Sequence, residues 1–281
     1  MEPTTLAQAR LLPDAAHWDA AVKAELKSLG NKGTFESLST KPPGVRLLGT
    51  KWVFKLKKCA DGTLDKYKAR LVAKGFLQRF GVDYFETFAP CTQLSSFRLI
   101  LAISIAYNLE LTHMDVQTAF LNSDLKEELY IQLPEGAVTE DGHYMAKLKK
   151  SLYGLKQAGH DWHSTSEDFI LSYDNRLRRS SVEPCLYYFI NEDIKIFILT
   201  QVDDYIVACN TKNWVLNFIT AFNSKYSVNV LGKLSHFMQM EITFEHNRVT
   251  LSQQRTIEDL AATFDLTDCK PMGLQDEDTY V

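Results

Sequence analysis

The sequence predicts an α+β fold in which one antiparallel sheet, backed by helices, holds the centre. Three observations lead there. Alternating apolar and polar segments lie between segments of helical spacing, in the order β-rich, helix, strand, helix, hairpin, helix, strands. Asp61-Gly62 and Asp203-Asp204 each join two strand-like runs, as hairpin turns do. At 281 residues and 45% hydrophobic, the chain has ample material for a buried core.

Asp14 caps a helix that carries Trp18, Val22, Leu26 and Leu29 on one face and ends at Gly30. A turn-rich stretch, Lys41-Pro42-Pro43-Gly44, precedes the first strand. Residues 51–58 alternate, with Trp52, Phe54 and Leu56 on one side and Lys51, Lys55 and Lys57 on the other. After Asp61-Gly62 the return strand sets Tyr67, Ala69, Leu71 and Ala73 against Lys66, Lys68, Arg70 and Lys74. The result is a two-stranded ribbon with one apolar face and one cationic face. Most lysine-rich strands simply present a solvated face, but seven cations on one side with no acid between them also suit a polyanion.

Residues 95–107 form an almost wholly apolar helix, placed at the centre of the core. A strand at 110–116, a helical turn at 119–121 and a strand at 129–133 follow, the last stopping at Pro134. Residues 157–173 are helical, with Trp162, Phe169, Ile170 and Tyr173 on one stripe. Strands at 185–190, 194–199 and 205–209 lead to a helix bearing Val215, Phe218, Ile219 and Phe222. Strands around 237–244 and 248–251 precede a last helix, capped by Ser252, with Ile257, Leu260, Ala261 and Phe264.

Composition is that of an ordinary globular protein, and no apolar run approaches the ~18 residues of a membrane span. The start shows no secretory leader, and the five cysteines are odd in number and scattered. They read as reduced thiols of an intracellular, cytoplasmic protein with neither disulfides nor a zinc site. The net charge of −4 hides a partition: nine Lys/Arg against two acids in residues 51–79, but seven acids against one lysine in residues 258–281. The acidic end, including 276–278, is expected to be frayed and solvated.

The chemistry concentrates in residues 194–209. Asp203 and Asp204 sit between strands whose Ile196, Ile198, Tyr205 and Val207 belong in a core, with no Gly or Asn to relax the turn. An ordinary polar turn is the plain explanation. Two carboxylates at the rim of an apolar sheet are costly, however, unless a cation neutralises them, and hard oxygen ligands suit Mg²⁺. Asp115 ends the strand at 110–116 and by itself is readable as a helix cap. With Asp203 and Asp204 it suggests three carboxylates converging on two metals ~3.5–4 Å apart, the arrangement for in-line phosphoryl displacement.

Seven separated motifs then carry a resemblance. They are Gly49-Thr50-Lys51-Trp52-Val53-Phe54-Lys55; Tyr67-Lys68-Ala69-Arg70-Leu71-Val72-Ala73-Lys74-Gly75-Phe76; Gly81-Val82-Asp83-Tyr84-Phe85-Glu86-Thr87-Phe88-Ala89-Pro90; Met114-Asp115-Val116-Gln117-Thr118-Ala119-Phe120-Leu121-Asn122; Pro134-Glu135-Gly136; Lys150-Ser151-Leu152-Tyr153-Gly154-Leu155-Lys156-Gln157-Ala158; and Val202-Asp203-Asp204. In this order they resemble the reverse transcriptase domain of Ty1/copia retrotransposons along almost the whole chain.

The resemblance implies a right-hand polymerase of fingers, palm and partial thumb, with an antiparallel palm sheet backed by helices. The expected divisions are a lead-in at 1–46, fingers at 47–109, palm with minor finger insertions at 110–235, and primer-grip region with truncated thumb at 236–281. It implies that Asp115, Asp203 and Asp204 are catalytic and hold two Mg²⁺, with Mn²⁺ a substitute and Asp204 the least direct ligand. It further implies that Lys68 and Arg70 grip the incoming deoxynucleoside triphosphate, that Phe120 is a steric gate against the 2′-hydroxyl, and that Tyr153 and Gly154 touch the nascent base pair. The partners implied are an RNA or DNA template with primer. RNase H, integrase and membrane segments are expected to be absent, with a retroelement particle or the nucleus as further locations.

Four positions depart from the family's pattern. Gln201 stands where Tyr precedes Val-Asp-Asp, Gly159-His160 replace Pro-Arg, Gln239 replaces the Gly of Phe-Leu-Gly, and Asn229-Val230 lack the aspartate before Leu231-Gly232. Two functions therefore stay open: an active polymerase, and a catalytically inactive relic that binds nucleic acid without extending it. A nucleotide cyclase fits less well, because it has no template for the ribbon to hold. His160 and His163 lack a third metal ligand and belong to a solvated helix face; Cys91 and Cys185 read as buried small apolar residues, and Trp18 and Trp162 as core.

Overall fold

The computed structural model describes residues 2–58, 63–137 and 141–269. The chain starts with α1 (Leu6–Arg10) and α2 (Ala15–Asn31), then β1 (Phe35–Leu38), β2 (Leu47–Lys58) and β3 (Leu64–Ala73). Helix α3 (Leu94–Ala106) leads into β4 (Glu110–Val116), a 3₁₀ turn at Ala119–Asn122, β5 (Tyr130–Gln132) and β6 (Met145–Leu148). Next come α4 (Ala158–Tyr173), β7 (Arg178–Arg179), β8 (Leu186–Ile190), β9 (Lys195–Gln201) and β10 (Asp204–Cys209). The remainder is α5 (Lys212–Tyr226), β11 (Val228–Lys233), β12 (His236–Phe237), β13 (Met240–Glu245), β14 (Arg248–Ser252) and α6 (Gln254–Thr263).

The α+β class holds, and the expected antiparallel sheet backed by helices is the six-stranded one, which two further sheets accompany. Among the described residues the strands form a five-stranded sheet β1-β6-β5-β2-β3, a six-stranded sheet β11-β4-β10-β9-β8-β7 and a three-stranded sheet β12-β13-β14. The first is mixed, because β5 lies parallel to β2. Strands β1 and β6, too short to show a pattern in sequence, complete it by pairing antiparallel.

The ribbon has the expected register: Trp52 faces Leu71 and Phe54 faces Ala69, while Lys55 faces Lys68 and Lys57 faces Lys66. Its apolar side packs on α2, where the Trp18 ring stands edge-on to Phe54 at 5.4 Å and to Tyr67 at 4.6 Å. Burying aromatic and aliphatic side chains here supplies the main stabilisation, about 1.5–3 kcal/mol for each large one. Strand β3 is the open edge. Its outward Leu71 N–H donates to Glu25 Oε1 at 3.2 Å and its Ala73 N–H to the Tyr153 carbonyl at 2.8 Å, so the edge is closed by protein groups.

The six-stranded sheet is buried on both faces. Met114, Val116, Tyr205 and Val207 meet α4 and α5 through Trp162, Phe218 and Phe222. Leu111, Leu199, Ile206 and Ala208 meet α3 and the third sheet through Phe97, Ile100 and Phe237. Charged residues are therefore confined to its strand ends, which is where a site can form.

Several local expectations need correction. Helix α2 runs past Gly30 because Gly33, at φ +59°, is the left-handed residue that lets Thr34 N–H reach the Leu29 carbonyl. Asp14 precedes that helix but makes no side-chain cap bond. Helix α3 is not central all round: Leu99 is 55% exposed on its outer side. Residues 237–244 are not one strand, since Met238 and Gln239, both at positive φ, reverse the chain between β12 and β13. Ser252 ends β14, although its hydroxyl still accepts the Gln254 N–H. Cys91 is exposed, because the loop carrying it lies on the surface, whereas Cys185 is buried as expected. The Asp61-Gly62 turn, Cys59 and the acidic end at 276–278 lie outside the described residues. Among the described residues no helix is long and apolar enough to cross a membrane.

Candidate active site

The register of β9 with β10 pairs Gln201 with Asp204 and leaves Val202-Asp203 as a two-residue turn. Val202 takes φ +56°, a conformation that costs a β-branched residue ~1–3 kcal/mol. Two hydrogen bonds hold it there. The Trp162 indole N–H donates to the Val202 carbonyl at 2.7 Å, and the Val116 N–H to the Asp203 carbonyl at 2.7 Å. The turn is thus pinned to α4 and β4, and Asp203 is presented from a rigid mount.

Strand β4 pairs with β10 so that Asp115 stands directly across from Asp204, which puts both carboxylates on the same sheet face. On the other side of β4, Asn229 of β11 lies across from Asp115 and donates from Nδ2 to Asp115 Oδ2 at 3.2 Å. Gln117 Nε2 in turn donates to Asn229 Oδ1 at 2.6 Å. His113, two residues before Asp115 and so on its face, lies with Nε2 2.9 Å from Asp204 Oδ1. Burial, together with the Asp204 and Asp115 charges, pushes the Asp203 carboxyl above its ordinary range, against the opposing pull of Arg70.

The sequence-derived residues thus meet, with qualifications. Asp115, Asp203 and Asp204 gather at one end of the sheet. Among the described residues no three His, Cys, Asp or Glu side chains stand as a closed metal-binding group, and two of the three aspartates each give an oxygen to a protein donor. The donor set nevertheless fits a hard divalent cation. It offers carboxylate oxygens alone, and a cation would offset both the burial and the neighbouring Asp204 and Asp115 charges that raise Asp203.

The ribbon reaches this end of the sheet. Arg70 lies over the Tyr153 ring at 5.1 Å, and its Nε is buried without a hydrogen-bond partner. Such an orphaned donor costs ~1–3 kcal/mol until an acceptor arrives. Lys68 is half-buried, and burial with the neighbouring Arg70 and Lys57 charges lowers its pKa. Burial pushes the Tyr153 hydroxyl up to about 12. Phe120 meets the Tyr153 ring edge-on at 5.3 Å and touches the cores of both larger sheets. Gly154 is required by contact: a Cβ there would stand 2.3 Å from the Ala73 carbonyl, and one on Gly75 would stand 2.0 Å from the Gly154 carbonyl.

Two of the departures from the family's pattern, at Gln201 and at Gly159-His160, make local contacts. Gln201 Oε1 accepts the Thr92 N–H at 2.8 Å, tying the loop before α3 to the β9–β10 hairpin. His160 Nδ1 lies 2.9 Å from the Phe88 carbonyl, and a Cβ on Gly159 would stand 3.2 Å from Ala89 Cβ. His163 does not lie on a solvated face; its side chain is 16% exposed and meets Glu167 at 3.4 Å. Sequence reasoning did not single out His113, Gln117, Asn229 as a hydrogen-bond partner, or Glu25. Only His113 carried a signal, its two-residue spacing from Asp115 within a strand.

The family model described as reverse transcriptase (RNA-dependent DNA polymerase) matches residues 33–275, so the chain belongs to the reverse transcriptases. Its relatives make it one of the Ty1/copia type. It is 36% identical over 276 residues, 97% of this chain, to the retrovirus-related Pol polyprotein from transposon TNT 1-94 of Nicotiana tabacum. It is 32% identical over 272 residues, 96% of this chain, to that from transposon RE1 of Arabidopsis thaliana. A truncated transposon Ty1-A Gag-Pol polyprotein of Saccharomyces cerevisiae is 30% identical over 201 residues, or 70% of this chain. The matches cover 21%, 18% and 16% of those polyproteins, so the chain corresponds to about a fifth of their length.

Proposed function

We propose that this chain is an RNA-directed DNA polymerase domain that adds deoxynucleotides to a primer 3′-hydroxyl, with Asp115, Asp203 and Asp204 holding two Mg²⁺. The observation that carries this reading is the pairing of Asp115 with Asp204 beside the pinned turn that presents Asp203. When bound, the ions supply charge that lowers the pKa of the primer hydroxyl and neutralises the departing pyrophosphate. Arg70 and Lys68 would grip the triphosphate, the orphaned Arg70 Nε gaining an oxygen acceptor. Phe120, braced against Tyr153, would wall off the space beside the sugar and so exclude a 2′-hydroxyl.

In this reading the five-stranded sheet supplies the fingers, the six-stranded sheet the palm, and the third sheet with α6 the primer grip and the beginning of a thumb. The divisions at 1–46, 47–109, 110–235 and 236–281 match this assignment in part: β5 and β6 are finger insertions in the palm segment, but β1 joins the finger sheet from 1–46 and α3 packs on the palm sheet from 47–109. A single-stranded template has a surface to follow: Phe76, Phe80, Phe85 and Phe88 are exposed, and Lys156 lies over the Tyr84 ring at 4.8 Å.

The test is extension of a DNA primer on an RNA template by the purified chain, with Mg²⁺ and with Mn²⁺, beside Asp203→Asn. Extension by the parent chain that falls by at least a hundredfold in the variant supports the proposal. The second reading, a relic that binds without extending, has support in the protein donors already engaging Asp115 and Asp204. Its signature is retained template–primer binding with no extension under either metal.

A further inference from the structure

We propose that His113 is a positioning residue that fixes the rotamer of Asp204, and so the orientation in which that carboxylate meets a divalent cation. The inference rests on the metal-holding reading above and adds a residue to it. His113 is 8% exposed, and its ring stands edge-on to Phe237 at 6.1 Å. The β11 bulge between Val230 and Gly232 sets Gly232, which has no side chain, across from it. Phe237 thus packs against the ring, and Nε2 is held 2.9 Å from Asp204 Oδ1. A carboxylate that accepts at Oδ1 needs a donor there, so in this contact Nε2 is the donor.

This engagement has a chemical consequence. Asp204 Oδ1 engages His113, so Oδ2 is the oxygen without a protein donor. Asp115 is treated alike, its Oδ2 accepting from Asn229. Each carboxylate is thus oriented by a protein donor on one oxygen, and part of the side-chain order that a cation would otherwise impose is already present. Partners of metal-ligating groups commonly alter metal affinity or activity by ~10–100-fold when removed.

Two substitutions separate positioning from packing. His113→Leu fills the same space against Phe237 but donates nothing, whereas His113→Gln offers an amide N–H in place of Nε2. Calorimetric titration of the metal-free chain with Mn²⁺ and Mg²⁺, together with its thermal melt, reads both properties without depending on turnover. The expected result is that His113→Leu weakens divalent binding about tenfold at an unchanged or higher Tm, while His113→Gln stays within about threefold of the parent chain. Equal affinity for the parent and His113→Leu overturns the inference, as does an equal loss in both variants tracking a lower Tm. If the parent binds no divalent ion, or Asp203→Asn binds as the parent does, the metal-holding reading fails and His113 has nothing to position. A parent that binds, with Asp203→Asn impaired and His113→Leu intact, removes the role of His113 alone.

Discussion

Glu25 is a carboxylate sealed between α2 and β3, and burial raises its pKa despite the Leu71 N–H and the Lys68 and Arg70 charges. A folded pKa above the unfolded one means that its stabilising contribution is complete below about pH 4.3 and is lost as pH rises through the folded value. Glu25→Gln keeps an acceptor for Leu71 and carries no charge. Urea denaturation at pH 7 should find it as stable as the parent chain or more so, with the difference closing toward pH 4; a deficit at pH 7 that is absent at pH 4 contradicts this. Arg70 is predicted to act through its planar fork, so Arg70→Lys should raise the KM for deoxynucleoside triphosphate about tenfold with a smaller fall in kcat. An unchanged KM would remove Arg70 from the triphosphate. At this scale the three aspartates were legible because charges flanked by apolar strands stand out. The partners of Asp115 and Asp204 were not, since His113 and Asn229 meet them only through the register of β4 with its two neighbours.

Elements were legible where their period was strong. The ribbon, β4, α4 and the β9–β10 hairpin follow their patterns to within a few residues. Strand β11 was missed: five of its six residues are exposed, so no alternation marks it, yet it supplies Asn229. The reversal at Met238-Gln239 was hidden for a different reason, since neither residue type announces a left-handed backbone. That turn gives a direct prediction. Gln239 sits at φ +61°, where glycine is relaxed and other residues lose roughly 1 kcal/mol. Gln239→Gly should therefore raise the Tm by about 2–4 °C, as read by differential scanning calorimetry. A lower Tm would mean that the Gln239 side chain stabilises the turn by more than its backbone costs.

At the scale of the whole molecule, the proposed binding to a polyanion must coexist with a net charge of −4. The ribbon resolves this by segregation, setting Lys55 across from Lys68 and Lys57 across from Lys66, although Lys55 is already paired with Glu2 at 2.7 Å. Replacing Lys57 and Lys66 together by Gln should weaken template–primer binding at low salt. It should also flatten the plot of log K against log salt by up to about 1.8, near 0.9 for each phosphate that a lysine no longer neutralises. An unaltered slope, measured by fluorescence anisotropy, would move the nucleic acid to another face. The α+β class was legible in the sequence, but the division into three sheets was not, because a parallel pairing such as β2 with β5 depends on residues far apart in the chain. The meeting of Gly75 and Gly154 has a mechanical consequence. Backbone touches backbone there with no side chain between, next to the Ala73–Tyr153 hydrogen bond, and β3 extends nine residue steps away from Ala73 to Leu64. At ~3.3 Å per residue the far tip stands about 30 Å from the glycine pair, and α2, packed along the apolar side, braces the span between them.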